Sequence, residues 1–184
     1  MTTLTASTKE TQWTLDQAHS ELNFKVKHMM INNVTGTFGS FDLKTQTDGN
    51  DFTTAEITLT ANTTSISTNN DTRDGHLKSG DFFDVEHFPQ LVFVSTSVEQ
   101  NDSDSYTLNG NLTIKDVTKP VKLDVEFGGL GVDPYGNEKA GFSISGKINR
   151  TEWNLTWNTA LEAGGFLLAD DVKILAEIQL NKSK

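Results

Sequence analysis

Residues 21–30 read Glu21-Leu22-Asn23-Phe24-Lys25-Val26-Lys27-His28-Met29-Met30. Leu22, Phe24, Val26, His28 and Met30 share one parity, and Glu21, Asn23, Lys25, Lys27 and Met29 share the other. Successive side chains leave opposite faces of a pleated backbone, so this period of two describes a strand with one dry face and one wet face.

Working outward, the same pattern recurs. Ala55, Ile57, Leu59 and Ala61 alternate with Glu56, Thr58, Thr60 and Asn62. Leu108, Gly110, Leu112 and Ile114 share a parity, as do Val121, Leu123, Val125 and Phe127. Phe142, Ile144, Gly146 and Ile148 form another such set, and Val172, Ile174, Ala176, Ile178 and Leu180 the last. Residues 12–18, 34–45 and 90–98 add further candidates, which makes about eight or nine strands by the strand-signal rules. Turn residues separate the runs at Thr47-Asp48-Gly49-Asn50, Asn101-Asp102-Ser103-Asp104, Lys115-Asp116-Val117-Thr118 and Asp133-Pro134-Tyr135-Gly136. The fold class is therefore all-β and antiparallel. Such strands build a sandwich or a barrel, and the long runs Leu22–Met30 and Pro120–Val132 favour an eight-stranded barrel.

Two stretches break the alternation. Residues 70–80, NDTRDGHLKSG, have the composition of a short helix, with Asn70 or Asp71 as N-cap and Gly80 at its end. A turn through Asp81-Phe82-Phe83 continues it. Residues 154–171 are irregular and include Gly164-Gly165 and Phe166-Leu167-Leu168.

The 184 residues fit one domain, placed at 12–184 behind a flexible segment 1–11. There is no Cys, which excludes disulfides, thiolate metal sites and a Cys nucleophile. The net charge of −10 repels nucleic-acid backbones and anionic membrane surfaces. No apolar run approaches the ~20 residues that span a bilayer. Residues 1–12 are polar and Thr-rich without an apolar stretch, so the expected location is the cytoplasm.

Several segments in order carry a family resemblance. They are Asp16-Gln17-Ala18-His19-Ser20, Lys27-His28-Met29, Gly36-Thr37-Phe38, Ser65-Ile66-Ser67-Thr68, residues 73–83 (RDGHLKSGDFF), Phe88-Pro89, residues 110–114 (GNLTI), Thr118-Lys119-Pro120-Val121, Gly141-Phe142 and Ile148-Asn149-Arg150. From Trp13 to Leu180 the chain resembles the YceI-like family of polyisoprenoid-binding proteins with lipocalin-like barrels. The resemblance implies an antiparallel barrel around an elongated apolar channel, with a short helix near the mouth. It also implies an isoprenoid quinone, polyprenyl or fatty-acyl ligand and no catalysis. The chain departs from the family pattern at Asn154, where Gly usually follows the aromatic residue; Asn is the next-best residue for a left-handed turn.

Each candidate site has a structural alternative. Asp16, His19 and Ser20 suggest a triad, but no nucleophile-elbow sequence accompanies them, and the plainer reading is a hydrogen-bonded turn with His19 in a buried polar network. His19, His28, His76 and His87 lack metal-ligand spacing, so no metal site is expected. Arg73 ties the helix to the barrel through a carboxylate, or the helix is a lid over the mouth.

The reading that follows is a carrier or sequestering protein for a long-chain apolar lipid, acting by burial and requiring no cofactor beyond that lipid. The channel candidates are Leu22, Phe24, Val26, Ile57, Leu59, Phe93, Leu112, Phe142, Ile144 and Ile174, with His28 and Arg73 as head-group candidates. Expected partners are the lipid itself, without nucleic acid or stable membrane insertion; a homodimer is compatible with the sequence. The alternatives are an enzyme of lipid or quinone metabolism using His19 or His28 as a general base, and a structural stress-response protein with a filled barrel.

Overall fold

The structure, a computed structural model, describes residues 10–184. In chain order its strands are β1 (Glu10–Leu15), β2 (Glu21–His28), β3 (Asn32–Phe38), β4 (Phe41–Asp48), β5 (Asp51–Asn62), β6 (Ile66–Ser67), β7 (Gln90–Gln100), β8 (Ser105–Ile114), β9 (Val117–Val132), β10 (Glu138–Asn149) and β11 (Leu168–Lys182). One α-helix, α1 (Asp71–Lys78), lies between β6 and β7. Every pairing is antiparallel, and β1-β4-β5-β7-β8-β9-β10-β11 closes on itself through the β1–β11 pair, giving an eight-stranded barrel.

The closing strand is shared. β11 pairs with β2 over Leu168–Glu177 and with β1 over Leu180–Lys182. β2, β3 and β6 therefore extend the wall at one end, while β1 and β4 complete it at the other. β11 can serve both partners because it is 15 residues long, far beyond the common strand length of about 5–6. Register shifts at Gln46/Asp48, Ser95/Ser97, Gly141/Phe142 and Leu168/Val172 mark bulges, which bend strands and help a sheet curl shut.

The end formed by β1 is plugged by aromatic rings. Phe52 sits 5.2 Å from Trp13, 5.5 Å from Phe127 and 4.9 Å from Phe142 between ring centroids. The Trp13 indole N–H donates to Thr47 Oγ1 at 2.8 Å, so its polar atom is satisfied inside the plug.

Several expectations from sequence are refined. Residues 34–45 form two strands, because the chain turns at Gly39-Ser40 and both Phe38 and Phe41 point inward. β2 ends at His28, and Met29 and Met30 are turn residues with φ of 53° and 60°. They belong to a three-residue loop, Met29–Ile31, between the paired His28 and Asn32, and each non-glycine left-handed residue costs roughly 1–2 kcal/mol. Of the segment 1–11 expected to be flexible, residues 1–9 lie outside the described residues, whereas Glu10 and Thr11 are paired with Asp48 and Thr47 in the barrel wall. Asn154 takes φ of 61°, so the turn after Trp153 keeps the left-handed form.

Candidate functional site

The inward faces of the strands enclose a cavity of about 550 Å³. Leu22, Phe24, Val26 and His28 line it from β2, Ile57 and Leu59 from β5, and Phe93 and Leu112 from β7 and β8. Ile144 from β10, Ile174 from β11 and Arg73 from α1 complete the set that sequence parity and the family resemblance singled out. Phe142 is not among them. It belongs to the aromatic plug and borders a separate space of about 70 Å³ beneath the main cavity. Phe24, Val26, Ile57, Leu59, Ile144 and Ile174 are only half-buried although they point inward, because they face open lumen rather than packed core.

Glycines help keep the lumen open. A β-carbon at Gly110 would stand 2.3 Å from the Phe93 ring, and one at Gly146 would stand 2.4 Å from Leu123 Cδ2. At both positions a large neighbouring side chain occupies the space over a bare backbone, as aromatic rings do over glycine in other sheets.

The mouth is built by α1 and the 154–167 loop. Asn70 caps the helix, its side-chain oxygen accepting from the Arg73 backbone N–H at 2.9 Å. Arg73 does not reach a carboxylate, as the sequence suggested. Its Nε donates to Thr68 Oγ1 at 2.7 Å and its Nη2 to the Thr68 carbonyl at 2.9 Å. The carboxylate that does the anchoring is Asp74, which is buried and accepts from Thr68 N–H at 2.7 Å and Thr68 Oγ1 at 2.6 Å. With Arg73 and Asp74 both fastened to Thr68, α1 is a pinned cap. His76 crosses from α1 to the loop, its ring 4.5 Å from Trp157 and 5.1 Å from Phe82.

Arg150 holds the other side of the mouth. It is 4% exposed, and its Nε donates to the Ala169 carbonyl at 2.9 Å. Its Nη1 donates to the carbonyls of Leu155 and Trp157, the latter at 3.0 Å. Burial pulls its pKa below the ordinary guanidinium value, and Asp170, 3.8 Å from Nη2, opposes that shift.

The Asp16-His19-Ser20 cluster does not form a triad. Ser20 Oγ bonds the backbone of Gln179, accepting from its N–H at 3.0 Å. His19 is exposed rather than buried, with Nδ1 3.0 Å from Asp16 Oδ2. Asp16 also takes Lys139 Nζ at 2.6 Å, and that hydrogen bond is the main cause holding its carboxyl below the usual Asp range. His28 lies at the cavity rim, and no carboxylate or hydroxyl orients its ring among the described residues. No group of three or more His, Cys, Asp or Glu side chains is placed to hold a metal ion among the described residues.

Sequence reasoning missed part of the lining. Val34 and Leu77, together with Trp157, Leu167 and Leu168 around the mouth loop, border the cavity. The loop residues follow no period, but the apolar trio Phe166-Leu167-Leu168 in a glycine-flanked stretch was a usable signal.

Comparison with known proteins agrees with this architecture. The model of the YceI-like domain matches residues 13–180. The UPF0312 protein SAB2563 of Staphylococcus aureus (strain bovine RF122 / ET3-1) is 42% identical over 175 residues, covering 95% of this chain and 99% of that protein. The solved structure of the Campylobacter jejuni YceI protein is 33% identical, with a TM-score of 0.75 over 92% of this chain and 97% of that one. Burkholderia cenocepacia BcnA, 22% identical, shares the fold with a TM-score of 0.78 over 90% of this chain and 98% of its own. A polyisoprenoid binding domain from Saccharophagus degradans, 13% identical, shares it with a TM-score of 0.63 over 93% and 98%. The eight-stranded barrel can take up an apolar small molecule, and the chain belongs to the YceI-like family.

Proposed function

We propose that this protein carries or sequesters a single long-chain lipid, an isoprenoid or fatty-acyl compound, with its chain in the barrel lumen. The observation that carries this reading is the continuous cavity of about 550 Å³ lined by apolar side chains of β2, β5, β7, β8, β10 and β11. That volume lies inside the range of about 300–1,000 Å³ common to small-molecule sites. The mechanism is burial. Each methylene withdrawn from water contributes about 0.8 kcal/mol, so a tail of ten carbons supplies roughly 8 kcal/mol before ordering costs.

Polar groups are concentrated toward the mouth, where His28, and His76 through the ring nitrogen not bonded to Asp81, can accept or donate one hydrogen bond to an oxygen-bearing head. The plug of Trp13, Phe52, Phe127 and Phe142 makes the far end a floor, so the ligand enters tail-first and leaves head-first through the mouth. The Saccharophagus degradans domain described as polyisoprenoid binding supports an isoprenoid tail.

A filled-barrel structural role is not supported, because the lumen is open. The enzyme reading finds no support in His19, which lies exposed beside Asp16, away from the cavity. Native mass spectrometry of freshly purified protein, followed by organic extraction, tests the carrier reading. The expected result is one bound lipid per chain. A homogeneous apo mass that also fails to take up added isoprenoid quinone overturns it.

A further inference from the structure

The tip of the β2–β3 hairpin presents Met29, Met30 and Ile31 at 43%, 64% and 82% exposure. Phe166, 60% exposed, lies in the neighbouring loop, and the Met29 N–H donates to the Leu167 carbonyl at 2.7 Å. His28 and Leu167, which flank these residues in the chain, both line the cavity. Four large apolar side chains thus stand in solvent on the rim of the mouth.

The fold does not require them. Met29 and Met30 occupy left-handed positions that Gly or Asn takes with less strain, and the area they leave in water returns no burial energy to the folded state. Strain kept at such a position points to a use outside the fold itself.

The outer wall below the tip is charged in an ordered way. Lys147 on β10 stands opposite Lys173 on β11, which stands opposite Lys25 on β2. Lys27 lies two residues closer to the tip. Like charges directly opposite each other weaken a sheet, so the row is not there for stability. Four residues toward the plugged end the sign reverses. Glu126 faces Ser143, Ser143 faces Glu177, and Glu177 faces Glu21. In a chain of net charge −10, positive charge is concentrated on the wall that adjoins the apolar tip. The carboxylates interrupting it are Asp171, 3.4 Å from Lys147, Asp170, 3.8 Å from Arg150, and the exposed Asp124, which faces Ser145 two residues from Lys147 and offsets the β10 end of the row more than the Lys25 and Lys27 end. The glutamate row stands roughly 13 Å away along the strands. That exceeds the Debye length of about 8 Å at physiological salt, so it does not cancel the lysines there.

We propose that this face docks on the surface of an anionic lipid bilayer. Met29, Met30, Ile31 and Phe166 enter the interface, and Lys25, Lys27, Lys147 and Lys173 meet the headgroups. Apolar insertion combined with basic contacts is how peripheral segments hold such a surface reversibly. Docking in this orientation sets the mouth against the membrane, so a lipid tail passes into the lumen without crossing bulk water. The purpose of docking rests on the carrier reading; the docking itself does not.

The test is flotation of the full chain with phosphatidylcholine vesicles, with and without phosphatidylglycerol. Two variants are compared, Met29→Asn/Met30→Gly/Ile31→Ser and Lys25→Gln/Lys147→Gln/Lys173→Gln. In parallel, uptake of a short-tailed isoprenoid quinone is measured from cyclodextrin and from vesicles. Wild-type protein is expected to partition about tenfold more strongly onto the anionic vesicles, with the advantage shrinking as salt rises. The hairpin variant loses about tenfold in partitioning while its thermal midpoint stays or rises, and the lysine variant loses the anionic preference. Both keep uptake from cyclodextrin and lose the faster transfer from vesicles. Equal partitioning of wild type and both variants, or no wild-type binding to anionic vesicles, overturns the proposal. Failure of wild-type uptake from cyclodextrin counts against the carrier reading alone, because flotation does not depend on a filled lumen.

Discussion

The Phe24 ring fills the place that a side chain on Gly36 of the next strand would need: a β-carbon there would stand 2.1 Å from Phe24 Cζ. The two residues are direct partners in the β2–β3 ladder. The three atoms nearest that β-carbon all belong to the Phe24 ring, and the ring has open lumen on its other side.

Gly36→Ala is therefore expected to push Phe24 into the cavity. Lipid uptake should fall several-fold while stability drops by about 1 kcal/mol, at the lower end of overpacking costs. Gly110→Ala differs, since its β-carbon would also meet the Val94 carbonyl oxygen at 2.6 Å, and a ladder carbonyl cannot step aside. That variant should lose about 2–3 kcal/mol. Denaturant midpoints and quinone titration of the two variants check the contrast; equal stability losses would refute it.

Leu59 faces the lumen between its ladder partners Leu43 and Phe93, whereas Thr58 points outward. In a packed core Leu59→Trp would cost about 1–3 kcal/mol. Here the indole has cavity to occupy, so uptake should fall at least tenfold with a smaller loss of stability. Thr58→Trp should change neither, and His28→Ala and Arg73→Ala should each weaken uptake less than Leu59→Trp. Lipid extraction checks this without relying on the added fluorophore. Unfolding of Leu59→Trp, with His28→Ala alone abolishing binding, would point to a polar anchor instead.

Asp16 ties the turn after β1 to β10 through Lys139, with His19 as a second partner. Its pKa is lowered, so the folded state binds the proton less readily than the unfolded state. The stabilisation is present above the ordinary Asp value of about 3.9 and is lost as pH falls through the folded value. Asp16→Asn should cost about 1–2 kcal/mol at pH 7. The gap between variant and wild type should close as pH falls below the ordinary Asp range, measured as urea midpoints across an acid titration. A gap that stays constant with pH would mean that the charge is not the source.

Arg150 satisfies three carbonyls of the 155–169 segment from one buried guanidinium. Arg150→Met strands those acceptors and should cost about 3 kcal/mol or more. Arg150→Lys recovers little, because an ammonium cannot span the same fork. Hydrogen exchange should report the loss locally, with residues 155–169 losing protection before the barrel strands do. Uniform loss of protection would show that the loop is not separately held.

Parity made the inward set legible: Phe24, Leu59 and Ile174 were placed on the lumen side by a period of two. Parity says nothing of height along the barrel axis, however. Phe142 shares the inward side with Ile144 and yet belongs to the floor, two residues closer to the plug. The Gly39-Ser40 turn escaped notice within a run of Thr, Gly and Phe. Phe38 and Phe41 are of opposite parity, so both can be buried only if the strand is broken between them. Arg73 and Asp74 illustrate a different limit. Adjacent charged residues on a short helix offer two anchors, and only tertiary contact with Thr68 shows that Asp74 is the buried carboxylate. The YceI-like resemblance supplied what the pattern could not, namely that the interior is hollow.

The pairing of β1 with the last residues of β11 has a consequence for biosynthesis. Trp13 faces Lys182 and Leu15 faces Leu180 across the closing seam. A nascent chain cannot shut the barrel until its final strand has left the ribosome, so most of the lumen wall is translated as an open, sticky sheet. Contacts spanning nearly the whole sequence also make closure slow relative to local hairpin formation. The same adjacency makes the protein a good subject for circular permutation. Joining Lys184 to Glu10 by a short Gly-Ser linker and reopening the chain at the exposed Asp116 turn would make the β11–β1 seam local and move the last-formed seam to the ten-residue β8–β9 ladder.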